Sequence, residues 1–286
     1  MSDTKTLSAL SDGITAAVET ASASTLLVDA RRRFPASGIA YAADLILTAD
    51  HVVTRDEDIR IGLPDGKSLP ATIAGRDPGS DLALLRLSEK ALTPAKTDKN
   101  PKVGQIALAL GRPSEAGMQA SFGIITSING PARTWRGGLL DQFLQTETVP
   151  YPGFSGGPLV NANGEVLGLN TSGLTRGEAL TIPISVAWPI AESLAQHGTV
   201  KRGYLGVRTQ PVENGLLILW LEKGGPAEQS GLLVGDILVK VNGQRLDDSD
   251  ALFAALNSDV VGKKVDVELL RGGQSQSLKV TVGERK

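Results

Sequence analysis

His51 lies in Thr48-Ala49-Asp50-His51-Val52-Val53, Asp81 in Asp77-Pro78-Gly79-Ser80-Asp81-Leu82-Ala83-Leu84-Leu85, and Ser155 in Gly153-Phe154-Ser155-Gly156-Gly157-Pro158. A serine alcohol is a weak nucleophile until a base takes its proton, and that base needs an acid to hold its tautomer. The order His, Asp, Ser is one of the linear orders in which such triads occur. Ser155 reads as the nucleophile. His51 reads as the base that later returns the proton to the leaving amine, and Asp81 as the group that orients His51. The flanking glycines allow a tight turn, so the amides of Gly153 and Ser155 are the candidates to receive the oxyanion. Singly, each residue has a plainer reading: Gly-x-Ser-Gly-Gly as a turn, His51 as a strand-end histidine, Asp81 as a cap. Their joint occurrence, each beside a strand-like run, points to a covalent hydrolase. His197, followed by Gly198, reads instead as a helix-end cation suited to the helix dipole.

The elements that must carry these residues are short. From Thr25 onward, β-rich runs alternate with Gly, Pro, Asp and Asn. They are Thr25–Val28, Gly38–Tyr41, Leu45–Thr48, Ile59–Leu63, Ala71–Arg76, Leu82–Leu87, Ile106–Leu110, Gln119–Ile128, Phe143–Glu147, Pro158–Val160, Val166–Thr171 and Leu180–Pro183. Strands at this spacing predict an all-β sandwich or barrel. An Ala/Ser/Leu-rich stretch over 7–20 predicts a helix before them. Val186, Ile190 and Leu194 recur at helical spacing within Ser185–His197, and Gly198 marks the stop. A domain boundary is expected near residue 199, giving domains 1–199 and 200–286. The second has strands at Leu205–Arg208, Gly215–Leu221, Ile237–Val241, Lys264–Leu270 and Gln276–Val282. Its helices are Ser249–Asn257 and a short one around Pro226–Ser230.

Composition excludes several classes. A net charge of −2 over 286 residues argues against electrostatic nucleic-acid binding, and Arg31-Arg32-Arg33 reads as a solvated loop or hairpin tip. With no cysteine and 2 histidines, neither a disulfide framework nor a zinc centre is expected, so no metal and no cofactor. The longest aliphatic run, Gly215–Leu221, has the length of a buried strand and not of a membrane span. The opening residues lack a basic region followed by an apolar one. This predicts a cytoplasmic chain, or a periplasmic one whose leader is removed.

The three motifs together resemble the HtrA (Deg) family of trypsin-like serine proteases with a C-terminal PDZ domain. The resemblance extends through Tyr151–Asn161, Asn163–Thr171 and Lys201–Val207, and runs from about residue 20 to the end. It implies a mainly β fold: a chymotrypsin-like double β-barrel, with the active site between barrels, followed by a small α+β PDZ domain. It implies that Val149 lies near the base of the primary substrate pocket. Thr171, Ser172, Gly173, Ala179, Leu180 and Thr181 would wall that pocket, and Asn170–Gly173 would pair with the substrate backbone. None of these is a carboxylate, so a modest apolar residue is expected before the scissile bond, not Lys or Arg. In the second domain, Arg202-Gly203-Tyr204-Leu205-Gly206-Val207 resembles the PDZ loop that binds a peptide's terminal carboxylate. Tyr204, Leu205, Gly206 and Val207 are the peptide-binding candidates. The segment Gln210–Gly215 is shorter than the family pattern.

The family usually carries Asn immediately before the nucleophile; this chain has Phe154, with Pro150 and Tyr151 in the same loop. The resemblance therefore implies an ATP-independent endopeptidase acting on unfolded or misfolded polypeptides, with peptide C-termini bound at the PDZ domain. The absence of a Walker-type phosphate loop agrees with ATP independence. The alternative is a holdase or adaptor of the same fold with weak or conditional proteolysis. Family members usually form trimers, which makes a homotrimer the expected assembly.

Overall fold

A computed structural model describes residues 2–134, 138–174, 179–201 and 203–284. The chain divides into two compact units, Met1–Thr199 and Val200–Lys286.

The first unit opens with helix α1 (Ser2–Ser22), longer than the 7–20 stretch that its composition marks. Six strands then close a barrel: β1 (Thr25–Asp29), β2 (Ala36–Ala42), β3 (Leu45–Ala49), β4 (Ile59–Gly62), β5 (Ser68–Asp77) and β6 (Leu82–Leu87). The order is β1-β2-β3-β6-β5-β4, and β1 pairs with both β2 and β4 to complete the ring. A second barrel contains β7 (Ile106–Ser114), β8 (Gly117–Asn129), β11 (Phe143–Thr146), β12 (Pro158–Val160), β13 (Val166–Thr171) and β14 (Leu180–Pro183). Between β8 and β11 lies a small hairpin, β9 (Ala132–Arg133) with β10 (Leu139–Leu140), too short to register as a periodic run.

The side-chain pattern explains why these runs become strands. In β8, Ser121, Gly123 and Ile125 are buried while Phe122, Ile124 and Thr126 are exposed, the period of a strand with one wet face. In β6, Leu82, Ala83, Leu84 and Leu85 are all buried. Helix α2 (Ile184–His197) buries Ile184, Ala187, Ala191 and Leu194. It ends at Gly198, whose left-handed φ of 73° lets its amide reach Leu194 O.

In the second unit, the expected strand Leu205–Arg208 is strand only from Val207: Leu205 and Gly206 (φ 76°) link β15 (Gly203–Tyr204) to β16 (Val207–Val212). The remaining elements are β17 (Gly215–Leu221), helix α3 (Pro226–Gln229), β18 (Ile237–Val241), β19 (Gln244–Arg245), helix α4 (Ser249–Ala255), β20 (Lys264–Arg271), β21 (Gln274–Thr281) and β22 (Gly283–Glu284). The main sheet runs β16-β17-β18-β20-β21, so β16 is an edge strand, and α4 lies beside it. Asp248 caps α4 by accepting the Ala251 amide at 2.8 Å. A core that includes Leu216, Ile218, Leu238, Leu252, Val267 and Leu269 holds sheet and helix together.

Candidate active site

Strand β3 ends at Ala49, and the chain turns at once into a single 3₁₀ turn, Asp50–Val52, that carries His51. Buried Asp50 fixes this turn: its Oδ1 accepts Arg76 Nε at 2.6 Å, and Arg76 Nη2 donates to Val53 O at 2.9 Å. Asp81 stands just before β6 in the left-handed region (φ 56°), which Asp tolerates better than most residues. Its backbone O accepts the Asp50 amide at 3.0 Å. Its side chain then faces His51 squarely: Oδ1 accepts the His51 amide at 2.8 Å and Oδ2 pairs with His51 Nδ1 at 2.8 Å. Thr171 Oγ1, at the end of β13, donates to the same Oδ2. Asp81 has 0% exposure, so its charge relies on these donors. With Nδ1 engaged by Asp81, Nε2 is the nitrogen left to act as base.

The segment carrying Ser155 is anchored to the first barrel by Ser37 of β2. Ser37 Oγ donates to Gly153 O at 2.7 Å and accepts the Arg112 amide at 2.8 Å, while Ser37 N donates to Ser155 O at 3.2 Å. Gly153 has φ 88°, a conformation open to glycine but strained for other residues. Among the described residues, the amides of Gly153 and Ser155 have no partner, whereas those of Phe154, Gly156 and Gly157 are all bonded within the chain. Phe154 is 1% exposed and joins the core cluster of Ala107, Ile125, Leu144, Leu159 and Leu167. Its ring meets Tyr151 edge to face with centroids 5.5 Å apart. Ser155 Oγ is 3.2 Å from Ser172 Oγ and makes no hydrogen bond to His51 in this rotamer.

Two cavities adjoin Ser155 and the segment that carries it. One, of about 480 Å³, is lined by His51, Gly153, Ser155, Asn170, Thr171, Ser172 and Ala179, and also by Arg31, Arg33 and Phe34. The other, of about 260 Å³, is lined by Thr146, Thr148, Pro150, Phe154, Asn170, Ala179, Leu180 and Thr181 among others, none a carboxylate. Two of the expected pocket residues line neither cavity. Val149 is 51% exposed and lines neither cavity; its amide donates to Ser121 Oγ at 2.7 Å. Gly173 walls neither cavity either; its Cα faces the His51–Asp81 pair. Sequence reasoning also missed Ser37, a lone buried serine in an apolar strand, whose only signal was its polarity. Burial lowers the Arg31 guanidinium below its ordinary range. Among the described residues, no group of three or more His, Cys, Asp or Glu side chains is placed to hold a metal ion. No helix among them is long and apolar enough to cross a membrane.

In the second unit, Leu205 N and Gly206 N have no partner among the described residues, and they stand at the start of edge strand β16. Leu205 O and Gly206 O accept from Ala227 N and Glu222 N, both at 2.8 Å, which fixes the loop. Tyr204 Oη donates to Glu222 Oε2. Arg202, which opens the carboxylate-loop motif, lies outside the described residues.

Two six-stranded barrels carrying a buried His–Asp pair beside a serine loop define a protein of the trypsin-like class, with a PDZ-type unit appended. The trypsin-like peptidase domain family matches residues 36–169 and the PDZ domain family residues 203–282. A probable periplasmic serine endoprotease, DegP-like, of Halomonas elongata is 37% identical over 274 residues, covering 88% of this chain and 57% of that protein. One of the same description from Pseudomonas putida is 36% identical over 267 residues, covering 86% and 55%. The chain thus spans about half the length of the curated relatives it matches. Among solved structures, the serine endoprotease from Yersinia pestis superposes with a TM-score of 0.82 at 31% identity, covering 96% of this chain and 98% of that one. The HtrA-type protease AlgW with a decapeptide gives 0.83 at 26% identity, covering 96% and 99%. The chain belongs to the HtrA family of serine proteases.

Proposed function

We propose that this chain is an ATP-independent serine endopeptidase that cleaves unfolded or misfolded polypeptides through an acyl-enzyme. His51 Nε2 takes the proton of Ser155 Oγ, which attacks the substrate carbonyl carbon once the serine side chain rotates away from Ser172. The amides of Gly153 and Ser155 receive the negative charge on the carbonyl oxygen. Collapse breaks the C–N bond, His51 returns the proton to the amine, and a water activated by His51 then hydrolyses the ester. Asp81 stabilises the imidazolium throughout. The observation that carries this reading is the shared Asp81 Oδ2, held by His51 and Thr171 behind a cavity that also contains Ser155 and its two unpartnered amides.

The cavity next to Phe154 is the candidate pocket for the residue before the scissile bond. Its lack of a carboxylate supports uncharged residues such as Val, Ala or Leu there, and disfavours Lys and Arg. In the second unit, Leu205 and Gly206 would bind a terminal carboxylate, and edge strand β16 would accept the peptide as an added strand. The relatives' descriptions favour a periplasmic protein over the cytoplasmic placement expected from the opening residues. A homotrimer remains the expected assembly, carried from the family resemblance.

Casein degradation by the wild type against Ser155→Ala tests the proposal. Loss of cleavage in the variant supports the peptidase. Equal inertness of both, with suppression of client aggregation, supports the holdase alternative, which the departure at Phe154 keeps in view.

A further inference from the structure

The cavity that holds His51 and Ser155 has a second wall whose chemistry the triad does not use. The loop joining β1 to β2 places Arg31, Arg33 and Phe34 on it, and among the described residues no carboxylate side chain lines the cavity. Arg32, between them, does not line it and is exposed.

Among the described residues, neither cation is paired with a carboxylate. Arg31 Nε donates to Phe34 O and Nη2 to Pro35 O at 3.4 Å, so the guanidinium is held by its own loop. Arg33 is exposed and has no hydrogen-bond or ion-pair partner among the described residues. The acid nearest in sequence, Asp29, is already engaged by Arg55 at 2.7 Å. Two like charges two residues apart, one of them partly desolvated, favour an anion brought between them.

The loop's position assigns it to one side of the reaction. Ser37 Oγ, just after the loop, bonds Gly153 O, and a Cβ on Gly153 would lie 3.1 Å from Pro35 O. The loop therefore adjoins the oxyanion segment. The wall formed by Asn170 and Ser172, where the acyl side of a substrate strand would pair, is a different one. A chain crossing Ser155 from that wall would lead its leaving amine toward the arginines, which line the same cavity.

We propose that Arg31 and Arg33 form a subsite for acidic residues on the leaving-group side of the scissile bond, favouring Asp or Glu in the first two positions after it. This rests on the peptidase reading above.

The test uses quenched peptides identical up to the cleaved bond, with Glu-Glu, Ala-Ala or Lys-Lys after it. At low salt the wild type should cleave the Glu peptide about fivefold better than the Ala peptide, with the Lys peptide lower still. The ratio should shrink with added salt, fall toward unity in the Arg31→Ala/Arg33→Ala double variant, and reverse in Arg31→Glu/Arg33→Glu. Because each ratio is measured within one protein, altered folding yield cancels. Equal cleavage of Glu and Lys peptides by the wild type overturns the subsite, as does a preference that survives the double substitution. Labelling by a fluorophosphonate separates the two levels: a labelled but indifferent protein loses only the subsite, whereas an unlabelled, inert one loses the peptidase reading and the subsite together.

Discussion

Gly173 sits against His51 so closely that a Cβ built on it would lie 2.5 Å from His51 Nδ1 and 2.5 Å from Asp81 Oδ2. Its amide is tied to Thr171 Oγ1 at 2.9 Å, so the backbone has little room to withdraw. A glycine here lets one strand end shield the His–Asp hydrogen bond from solvent without prising it open. Gly173→Ala should therefore displace the imidazole and lower kcat/KM about 10²-fold, the scale of loss from a misplacement of about 1 Å. The check is peptide hydrolysis beside a thermal melt. Wild-type activity in a folded variant would contradict the assignment.

Thr171 and Asp81 form a second relationship on which the proposed reaction depends. Thr171→Val keeps the shape of the strand but removes one donor from a buried carboxylate and the acceptor of the Gly173 amide. A loss of about tenfold in kcat/KM is expected, the size of one hydrogen bond to a charged group. Steady-state kinetics on one peptide decide it, and an unchanged kcat/KM would remove Thr171 from the account.

Ser37 ties the nucleophile segment to the first barrel. Ser37→Ala leaves Gly153 O and the Arg112 amide without their side-chain partner. It should cost about 1–3 kcal/mol of stability. It should lower kcat more than it raises KM if Gly153 serves the oxyanion site as proposed. Denaturant melts together with separate kcat and KM values test both halves; a change confined to KM would argue against the anchoring role.

Asp236 in the second unit gives a pH prediction. Burial alone would raise its carboxyl, but the Arg271 fork and the Leu233 amide outweigh burial and hold it below its ordinary value. A carboxyl lowered in the folded state stabilises fully above the unfolded value of about 4, and that contribution is lost as pH falls through the lowered one. The deficit of Asp236→Asn relative to wild type should be present at neutral pH and shrink below about pH 4. Hydrogen exchange of β17 and β18 in the full chain measures it. A deficit independent of pH would show that the ion pair is not its source.

The candidate triad could be proposed from the sequence because each of its residues sits in a local motif that is recognisable without distant contacts, and the close pairing of His51 with Asp81 is what the fold adds. Strands β6, β12, β13, β14, β17 and β18 were legible at their observed bounds, since apolar runs are punctuated there by turn residues. What escaped depends on side-chain direction. Counting back from Ser155 places Val149 near the pocket, whereas that residue is 51% exposed and lines neither cavity. Gly173 has no side chain, so only coordinates show what it faces. Arg31 and Arg33 read as a solvated hairpin tip, and the tip is where they are, yet two of the three arginines also line the catalytic cavity. The expected strand Leu205–Arg208 starts only at Val207 because Gly206 adopts a positive φ that a strand cannot continue through.

The central claim is that His51, held by Asp81, activates Ser155 beside two amide donors. Covalent labelling with a fluorophosphonate, mapped by mass spectrometry, tests it most directly. The account predicts one adduct per chain on Ser155, absent in Ser155→Ala and strongly slowed in His51→Ala. No adduct on the wild type, or an adduct elsewhere that survives Ser155→Ala, would contradict it.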